Sequence, residues 1–393
     1  MNPLKISAYT LTNALGHGRE ASLAALRLGR SGLRACDLPE APLSTWIGRV
    51  EGVESVILPA ALAGFDCRNN RLALLGLEQD GFVGAVSNAA ARYGAERVAV
   101  FAGTSTSGIA ETEAAYRDLA DERLPASFNY YKSHSLYSLA EFSRRLLGLA
   151  GPALTVSTAC SSSAKIFAMA HRYISMGLCD AAVVVGVDSL CLTTLYGFRS
   201  LELVSSDPCR PWDENRNGIS IGEGAGFALL ERAEPGEAAL SLCGYGESSD
   251  AYHMSTPHPQ GLGAAMAMRQ ALERAALQPA QIDYLNLHGT STPANDVSED
   301  AAVLIALGDR TACSSTKGAT GHTLGAAGIT EALICCLSIE QGFIPGSVNT
   351  LQLDLALRAR IIRQTQNQPV RYAMTNSLGF GGSNCSLVFG IPA

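Results

Sequence analysis

The stretch LTVSTACSSSAKIFAMAHRYISMGLCDAAVVVGV, residues 154–187, alternates between two kinds of regular structure and decides the fold class. Its first four residues, LTVS, are typical of a short strand. After them, Ile166, Ala170 and Ile174 recur at the spacing of one helix face. Residues 181–187 (AAVVVGV) are apolar throughout, as expected of a strand whose sheet is covered on both faces. The stretch therefore predicts an α/β protein with helices packed on a buried sheet.

The same alternation continues on both sides of this stretch. Residues 97–102 (RVAVFA) and 282–287 (IDYLNL) are further predicted strands. A charged segment with Pro and Gly, ERAEPGE at residues 231–237, interrupts the pattern before a second set of strands and helices begins. We therefore predict two halves, residues 1–235 and 236–393.

The composition excludes several classes of protein. The 393 residues are 47% hydrophobic and only 17% charged, which excludes a disordered chain. The net charge of −7 and the lack of a basic run argue against a nucleic-acid partner. The longest apolar stretches are strand-length, so no membrane span is expected.

The eleven cysteines indicate a reducing compartment. They are scattered, odd in number and form no CxxC pair, so neither a disulfide framework nor a zinc ribbon is predicted. No charged, apolar leader opens the sequence at Met1. We expect a cytoplasmic protein whose cysteines are mostly buried, small apolar side chains.

One cysteine has a setting that suits chemistry. Cys160 lies where a predicted strand turns into a helix and is followed by three serines. Free N–H groups at a helix N-terminus lower the pKa of a thiol and can hold an oxyanion. By itself this position is weak evidence for a catalytic role, because most cysteines are structural.

Two histidines and a glycine-rich turn have comparable settings. His288 follows a strand and opens HGTSTP, whereas His322 lies five residues after Lys317 in STKGATGHTLGAAG, residues 315–328. SLGFGGSN, residues 377–384, is a turn between two predicted strands. None of these segments has the order of a phosphate-binding or dinucleotide-binding loop. Taken singly, each is more often structural than catalytic.

Together, these motifs closely resemble the elongating β-ketoacyl-acyl-carrier-protein synthases of the thiolase-fold superfamily, over nearly the whole chain. The resemblance implies a thiolase-like fold, in which two similar α/β halves pack as a layered α-β-α-β-α core. The motifs that carry it, in order, are TAC (158–160), RPWD (210–213), GEGAG (222–226), HGTSTP (288–293), Lys317 with GH (321–322), and GFGG (379–382).

The resemblance also implies a reaction. Cys160 would accept an acyl chain from the phosphopantetheine thioester of acyl carrier protein, and the backbone N–H groups of Cys160 and Phe380 would hold the oxyanion. His288 and His322 would stabilise the enolate that forms when malonyl-carrier protein loses CO₂. The acyltransferase would then form a carbon–carbon bond, with no metal and no organic cofactor.

The remaining site residues follow from the same resemblance. Lys317 would orient groups around the site, with Glu299 as its acidic partner. Thr290 and Thr292 would bind the pantetheine arm. Phe380 would also act as a gate between the acyl and malonyl pockets.

Arg68 and Arg71 match basic positions that dock the carrier protein. A solvated helix face is the competing interpretation of this charge pair. The resemblance further implies a dimer, either a homodimer or a heterodimer with a chain-length-factor-like ketosynthase homologue.

The acyl substrate stays open between fatty-acid, polyketide and aryl-polyene chains. Ser161, Ser162 and Ser163 after the nucleophile are typical of polyketide enzymes, but residues 288–292 have the fatty-acid form. Residues 128–134 are unusually polar for a segment expected near the pocket floor, and the small residues 103–107 stand where bulkier ones gate the acyl pocket.

Three related activities compete with this interpretation. A thiolase acting on coenzyme A esters would need a second catalytic cysteine in the C-terminal loop, where Phe380 stands instead and Cys385 lies beyond the glycines. A non-catalytic chain-length subunit would lack the nucleophile. A synthase that primes from coenzyme A would carry Asn in place of His322.

Overall fold

Ten main strands, five in each half of the chain, lie in the part of the protein that the structure describes. The structure is a computed structural model and describes residues 1–120, 122–234 and 236–392. The first five strands are β1 (Leu4–Asn13), β2 (Val98–Gly103), β3 (Ala153–Val156), β4 (Ala181–Asp188) and β5 (Gly224–Arg232). The second five are β6 (Ser241–Ser249), β7 (Tyr284–Asn286), β8 (Ala312–Ser314), β9 (Tyr372–Gly379) and β10 (Ser383–Gly390).

The two sets of strands have the same topology. The first set lies in the order β3-β2-β4-β5-β1 and the second in the order β8-β7-β9-β10-β6. In both, the first three strands of that order are parallel and the last two run antiparallel to their neighbours. The sets join where β1 pairs with β6 through two residue pairs, Leu4 with Leu242 and Lys5 with Ser241. The chain is therefore built from two similar halves.

Eleven α-helices among the described residues complete the layers. They are α1 (Gly18–Arg27), α2 (Arg68–Leu77), α3 (Phe82–Tyr93), α4 (Ile109–Arg117), α5 (Ser138–Leu146), α6 (Ser162–Ser175), α7 (Leu192–Ser200), α8 (Leu262–Ala275), α9 (Pro293–Ala306), α10 (Lys317–Thr320) and α11 (Ala327–Gln341).

Helices α6 and α11 form the middle layer. Each contacts strands of both halves, and the two pack against each other. Helices α2, α3 and α5 share one apolar cluster with the outer face of the first sheet, and α8 and α9 share another with that of the second. This is the layered α-β-α-β-α arrangement that the sequence predicts.

Short elements connect these layers. The short strands are Gly16–His17, Arg34–Ala35, Trp46–Gly48, Ile221–Gly222, Phe343–Ile344 and Gln366–Asn367. Short 3₁₀ segments cover Val53–Ser55, Ala60–Phe65, Ala95–Arg97, Pro279–Gln281, Leu324–Ala326 and Phe380–Gly382, and a π-helical turn covers Tyr130–His134.

The burial predicted from the sequence is confirmed. Every residue of β4 is buried, and so are Ile166, Ala170 and Ile174 on the inner face of α6. All eleven cysteines are free, and only Cys36 is not buried. The predicted boundary after residue 235 falls on Pro235, which lies outside the described residues.

One stretch, Leu324–Gln341, is long and apolar enough to cross a membrane by composition. It is 89% buried inside the protein, because α11 lies between the two sheets. Burial of this kind is typical of a core helix.

Candidate active site

Cys160 lies in the turn between β3 and α6. The preceding residue, Ala159, has a φ of 51°, a left-handed conformation that costs an ordinary residue about 1–2 kcal/mol. The Ser162 hydroxyl accepts from the Thr158 N–H at 2.9 Å and donates to the Ala159 carbonyl at 2.6 Å. These two bonds hold the strained turn, which leaves Cys160 5% exposed at the wall of a cavity.

His322, from the other half, lies against this thiol. Its Nε2 is 3.1 Å from Sγ of Cys160. Two backbone bonds fix the residue: its N–H donates to the Ser220 carbonyl at 2.8 Å, and its carbonyl accepts from the Gly222 N–H at 2.9 Å. Burial lowers the pKa of His322 well below its usual value, and the Lys317 ammonium lowers it further. The imidazole is therefore neutral.

His288 completes the group of reactive side chains, and Lys317 sets its tautomer. Nζ of Lys317 lies 3.3 Å from Nδ1 of His288. Because an ammonium only donates, Nδ1 must accept and the ring proton must be on Nε2. Burial, with help from Lys317 and His322, lowers the pKa of His288 well below its usual value. The two imidazoles are thus neutral, and their ring centres are 5.3 Å apart in an edge-to-face arrangement.

The acidic partner of Lys317 is Glu331, so the predicted pair with Glu299 is wrong. Nζ of Lys317 forms a buried ion pair with Oε1 of Glu331, in the second turn of α11, and also donates to the His288 carbonyl. Burial raises the pKa of Glu331 to about 7, and the ammonium lowers it. The available sequence signal was a lone carboxylate near the start of an otherwise apolar helix.

Glu299 supports the site in another way. Its oxygens accept from the backbone N–H groups of His288 and Gly289, each at 2.8 Å, and from the Asn376 amide at 3.1 Å. Through these bonds the carboxylate holds the turn that carries His288. Glu299 is fully buried, and burial raises its pKa.

The pKa of the Cys160 thiol is not lowered, contrary to what a position at a helix N-terminus predicts. Burial raises its pKa to about 11, while the Lys317 ammonium and the backbone N–H of Phe380 act in the opposite direction. Desolvation therefore outweighs the helix terminus in the free protein. Nε2 of His322, 3.1 Å from the sulfur, is in position to accept the thiol proton.

The reactive side chains share one cavity of about 200 Å³. Thr290 and Thr292 line it, with 2.9 Å between their hydroxyl oxygens. Phe380 also lines it, and its ring lies 5.5 Å from that of Phe198. The structure thus brings the predicted catalytic, pantetheine-binding and gating residues to one place, and an apolar wall of Leu201, Leu203 and Ile219 lies beside them.

A cysteine and two histidines this close can in principle hold a metal. The donor atoms of Cys160, His288 and His322 lie within 4.8 Å of one another, and zinc takes such ligands. However, a metal on Nε2 of His288 would require the ring proton on Nδ1, facing the Lys317 ammonium. The donor set therefore does not fit a resident metal ion.

The structure contradicts the docking role predicted for Arg68. Its guanidinium donates to both oxygens of the fully buried Glu223, at 2.6 and 3.0 Å, and to Glu54 at 2.6 Å. These internal bonds use the groups that a partner would need. Arg71 is paired with Asp66 but is one-third exposed, and its docking role stays a prediction.

Two segments that bear on the acyl substrate are also defined. The side chains of Thr104 and Thr106 are buried and donate to Asp188 instead of lining the cavity around Cys160. The polar segment 128–134 contains the π-helical turn, where the rings of Tyr130 and His134 stack 5.0 Å apart.

With this fold and site in place, comparison with known proteins shows the family. The model of the β-ketoacyl synthase N-terminal domain matches residues 77–236, and that of the C-terminal domain matches residues 240–351. The chain belongs to the β-ketoacyl synthase family. The enzyme class implied by the motifs, an acyltransferase that forms carbon–carbon bonds, agrees with this membership.

Similar individual proteins are known. 3-Oxoacyl-[acyl-carrier-protein] synthase 2 of Vibrio harveyi is 35% identical over 313 residues, which is 75% of each chain. The solved complex of the ketosynthase ApeO with its chain length factor ApeC from Xenorhabdus doucetiae matches at 39% identity and a TM-score of 0.92, covering 100% of this chain and 98% of that one. The ishigamide ketosynthase/chain length factor matches at 27% identity and a TM-score of 0.89, with both chains covered completely. The thiolase-like ketosynthase fold is confirmed.

Proposed function

We propose that this chain is a β-ketoacyl-acyl-carrier-protein synthase. It catalyses decarboxylative Claisen condensation of a malonyl thioester, carried by acyl carrier protein, with an acyl chain bound to Cys160. The observation that carries this proposal is the placement of one thiol and two neutral imidazoles on the wall of one cavity.

In the first step, Cys160 takes the acyl chain. Nε2 of His322 accepts the thiol proton at 3.1 Å, and sulfur attacks the carbonyl carbon of the acyl thioester. The Phe380 and Cys160 backbone N–H groups hold the tetrahedral oxyanion. The C–S bond to pantetheine then breaks, and the proton from His322 leaves with the pantetheine thiol.

In the second step, the two imidazoles stabilise an enolate. Once Cys160 is acylated, its sulfur no longer occupies Nε2 of His322. A solvent-mediated shift of the His322 ring proton from Nδ1 to Nε2 then lets both Nε2–H groups donate to the malonyl thioester oxygen. Loss of CO₂ puts the electron pair on that enolate, whose carbon attacks the acyl-Cys160 carbonyl. The Cys160–acyl bond breaks, and one proton from solvent balances the reaction.

Neutral imidazoles suit this step better than charged ones. A hydrogen bond that strengthens as the oxygen gains charge lowers the barrier without a proton leaving the ring. Lys317 contributes by keeping the His288 proton on Nε2. We propose that the reaction needs no metal and no redox cofactor, since decarboxylation itself supplies the nucleophile.

The competing activities fit the site less well. Cys385, the cysteine nearest the C-terminal loop, is fully buried in β10, and Cys160 is the sole cysteine among the described residues that line the cavity. A thiolase would need a second one. A chain-length subunit would not need Cys160, His288, His322 and Lys317 together.

The carrier protein must reach the cavity mouth, and Arg199 is the cation placed there. It lies exposed in the last turn of α7, between the cavity-lining residues Phe198 and Leu201. None of the described residues forms an ion pair with it. Acidic carrier proteins favour such a charge beside the entrance.

We further propose that the enzyme is a dimer. Strand β3 is at the edge of its sheet, with Leu154 38% exposed. A second subunit that extends the sheet there would protect this edge, and the segment 116–137 offers further apolar surface for it to cover. This apolar surface comprises Tyr116, Leu119, Leu124, Tyr130, Tyr131, Leu136 and Tyr137, all exposed.

The relatives bear on the partner and pathway. Two of the similar structures are ketosynthase/chain length factor complexes. They support a heterodimer with a chain-length homologue over a homodimer. We propose polyketide or aryl-polyene elongation rather than housekeeping fatty-acid synthesis. Because reduced cysteines belong to a reducing compartment, the proposal places the enzyme in the cytoplasm.

Mass spectrometry tests the proposal directly. Purified protein incubated with an acyl-carrier protein should show an acyl adduct on the Cys160 peptide, and the Cys160→Ala variant should show none. Cys160→Gln should lose condensation yet still convert malonyl-carrier protein into acetyl-carrier protein. Normal acylation of Cys160→Ala would overturn the assignment.

A further inference from the structure

Asp188 is a fully buried carboxylate at the end of β4 that the reaction above does not use. Among the described residues no cation pairs with it. Instead, its two oxygens accept hydrogen bonds from two separate turns. A buried charge without a counter-ion is stable only when hydrogen-bond donors surround it. The carboxylate of Asp188 therefore fixes the position of the two turns that supply those donors.

The first turn follows β2. Oδ1 accepts from the hydroxyls of Thr104 and Thr106 at 2.6 and 2.7 Å, and from the backbone N–H groups of Ser105 and Thr106 at 2.9 and 2.8 Å. Oδ2 accepts from the Ser105 hydroxyl at 2.8 Å. The carboxylate therefore determines the course of residues 104–106.

The second turn follows His322. Oδ2 of Asp188 accepts from the backbone N–H of Ala326 at 3.2 Å, and the Ser105 hydroxyl accepts from that of Gly325 at 3.1 Å. The same turn contains Leu324, whose φ of 55° is strained. Within the turn, the Ala326 N–H also donates to the Thr323 carbonyl at 3.0 Å. Asp188, directly and through Ser105, adds the two bonds that fasten the turn to the first half.

We propose that Asp188 is a positioning residue for the Cys160–His322 pair, because its carboxylate fastens the turn after β2 to the turn that follows His322. The expected effect of Asp188 on acylation rests on the proposed function. Its effect on the reactivity of the thiol does not depend on which acyl group the enzyme takes.

The charge of Asp188 gives the role a measurable signature. Cys160 faces charges from three elements: the Lys317 ammonium on α10 favours the thiolate, whereas Asp188 and Glu331 oppose it. His288 and His322 face it as neutral rings. Removing the charge of Asp188 should therefore lower the pKa of the thiol, whereas loosening the turns alone should not.

The test uses the full-length protein and two assays, alkylation of Cys160 by iodoacetamide as a function of pH and acylation by an acyl-carrier protein. Asp188→Asn should slow acylation at least about tenfold, since small displacements of reacting groups have effects of this size. It should also move the alkylation profile to lower pH. Ser105→Ala, which removes the bridging hydroxyl but keeps the charge, should slow acylation about threefold without moving the profile.

Asp180 provides the control. It precedes the other end of β4 and pairs with Arg97 and Arg232, so Asp180→Asn should change neither assay. The proposal is overturned if Asp188→Asn acylates at the wild-type rate or keeps the wild-type alkylation profile. If Asp188→Asn does not fold, an unchanged acylation rate in Ser105→Ala overturns it. If acylation is absent in the wild type, the proposed function fails, whereas the alkylation profile still tests the role of Asp188.

Discussion

The two halves of the molecule share a topology but contribute different chemistry. In each half the third strand leads into a middle-layer helix, β3 into α6 and β8 into α11. The first connection is a five-residue turn with Cys160, whereas the second runs through α10 and carries Lys317 and His322. One half thus supplies the nucleophile and the other supplies the charge and the imidazoles.

The difference makes the reactivity of the thiol depend on both halves. The groups that favour the Cys160 thiolate or take its proton are Lys317, the Phe380 N–H and His322, all from the second half. Within its own half, the thiol is buried and Asp188 opposes its ionisation. Reactivity therefore arises at the contact between the halves.

The largest expected effect is on the rate of decarboxylation, when either imidazole of the second half is removed. In a Cys160→Gln background, His288→Ala and His322→Ala should each slow decarboxylation of malonyl-carrier protein about 10²–10³-fold, as is usual for a lost hydrogen-bond donor to a developing oxyanion. Release of CO₂ measures this. His171→Ala, on the half-buried side of α6, is the control, and a loss below threefold in either site variant would contradict the enolate role.

Breaking the Lys317–Glu331 pair should destabilise the second half. Glu331→Gln leaves a buried ammonium without its counter-charge, which costs about 3–5 kcal/mol of the free energy of unfolding. Denaturant titration measures the loss. Glu237→Gln, in a partly exposed pair with Lys5, should change the free energy of unfolding little, because solvent screens such a pair. Equal losses in the two variants would show that burial of the ion pair is unimportant.

The pH dependence of decarboxylation sharpens the assignment of neutral imidazoles. The pKa values of His288 and His322 are held well below 6.5 by burial and Lys317, so both rings remain neutral as the pH falls from 8 to 6. Decarboxylation by the Cys160→Gln variant should therefore stay constant over that range. A rate that halves near pH 6.5 would mean that at least one ring titrates normally.

The smallest change expected of a variant concerns KM for the acyl-carrier protein, and it tests two arginines of the first half. Arg199→Glu should raise KM for the acyl-carrier protein several-fold at low salt, and the effect should shrink as salt screens the charge. KM for a small pantetheine thioester should not change. Arg71→Glu tests the remaining predicted docking position in the same assay. If Arg199→Glu changes KM for the acyl-carrier protein no more than KM for the small pantetheine thioester, Arg199 does not belong to the docking surface.

Local patterns in the sequence were enough for much of the fold and site. The spacing of Ile166, Ala170 and Ile174 predicts α6, and the apolar residues 181–187 predict β4, because period and burial are properties of a short segment. The order of the motifs, through the family resemblance that it carries, likewise predicts Cys160, His288 and His322 as site residues.

Only the tertiary structure decided which charges meet. Glu299 and Glu331 lie on different helices at comparable distances along the chain from Lys317, and the packing of α11 turns Glu331 toward the ammonium while backbone N–H groups take up Glu299. Arg68 is drawn inward by Glu223, 155 residues away. Asp188 joins turns from both halves. Such pairings depend on burial and on which elements become neighbours, and neither is encoded in a local pattern.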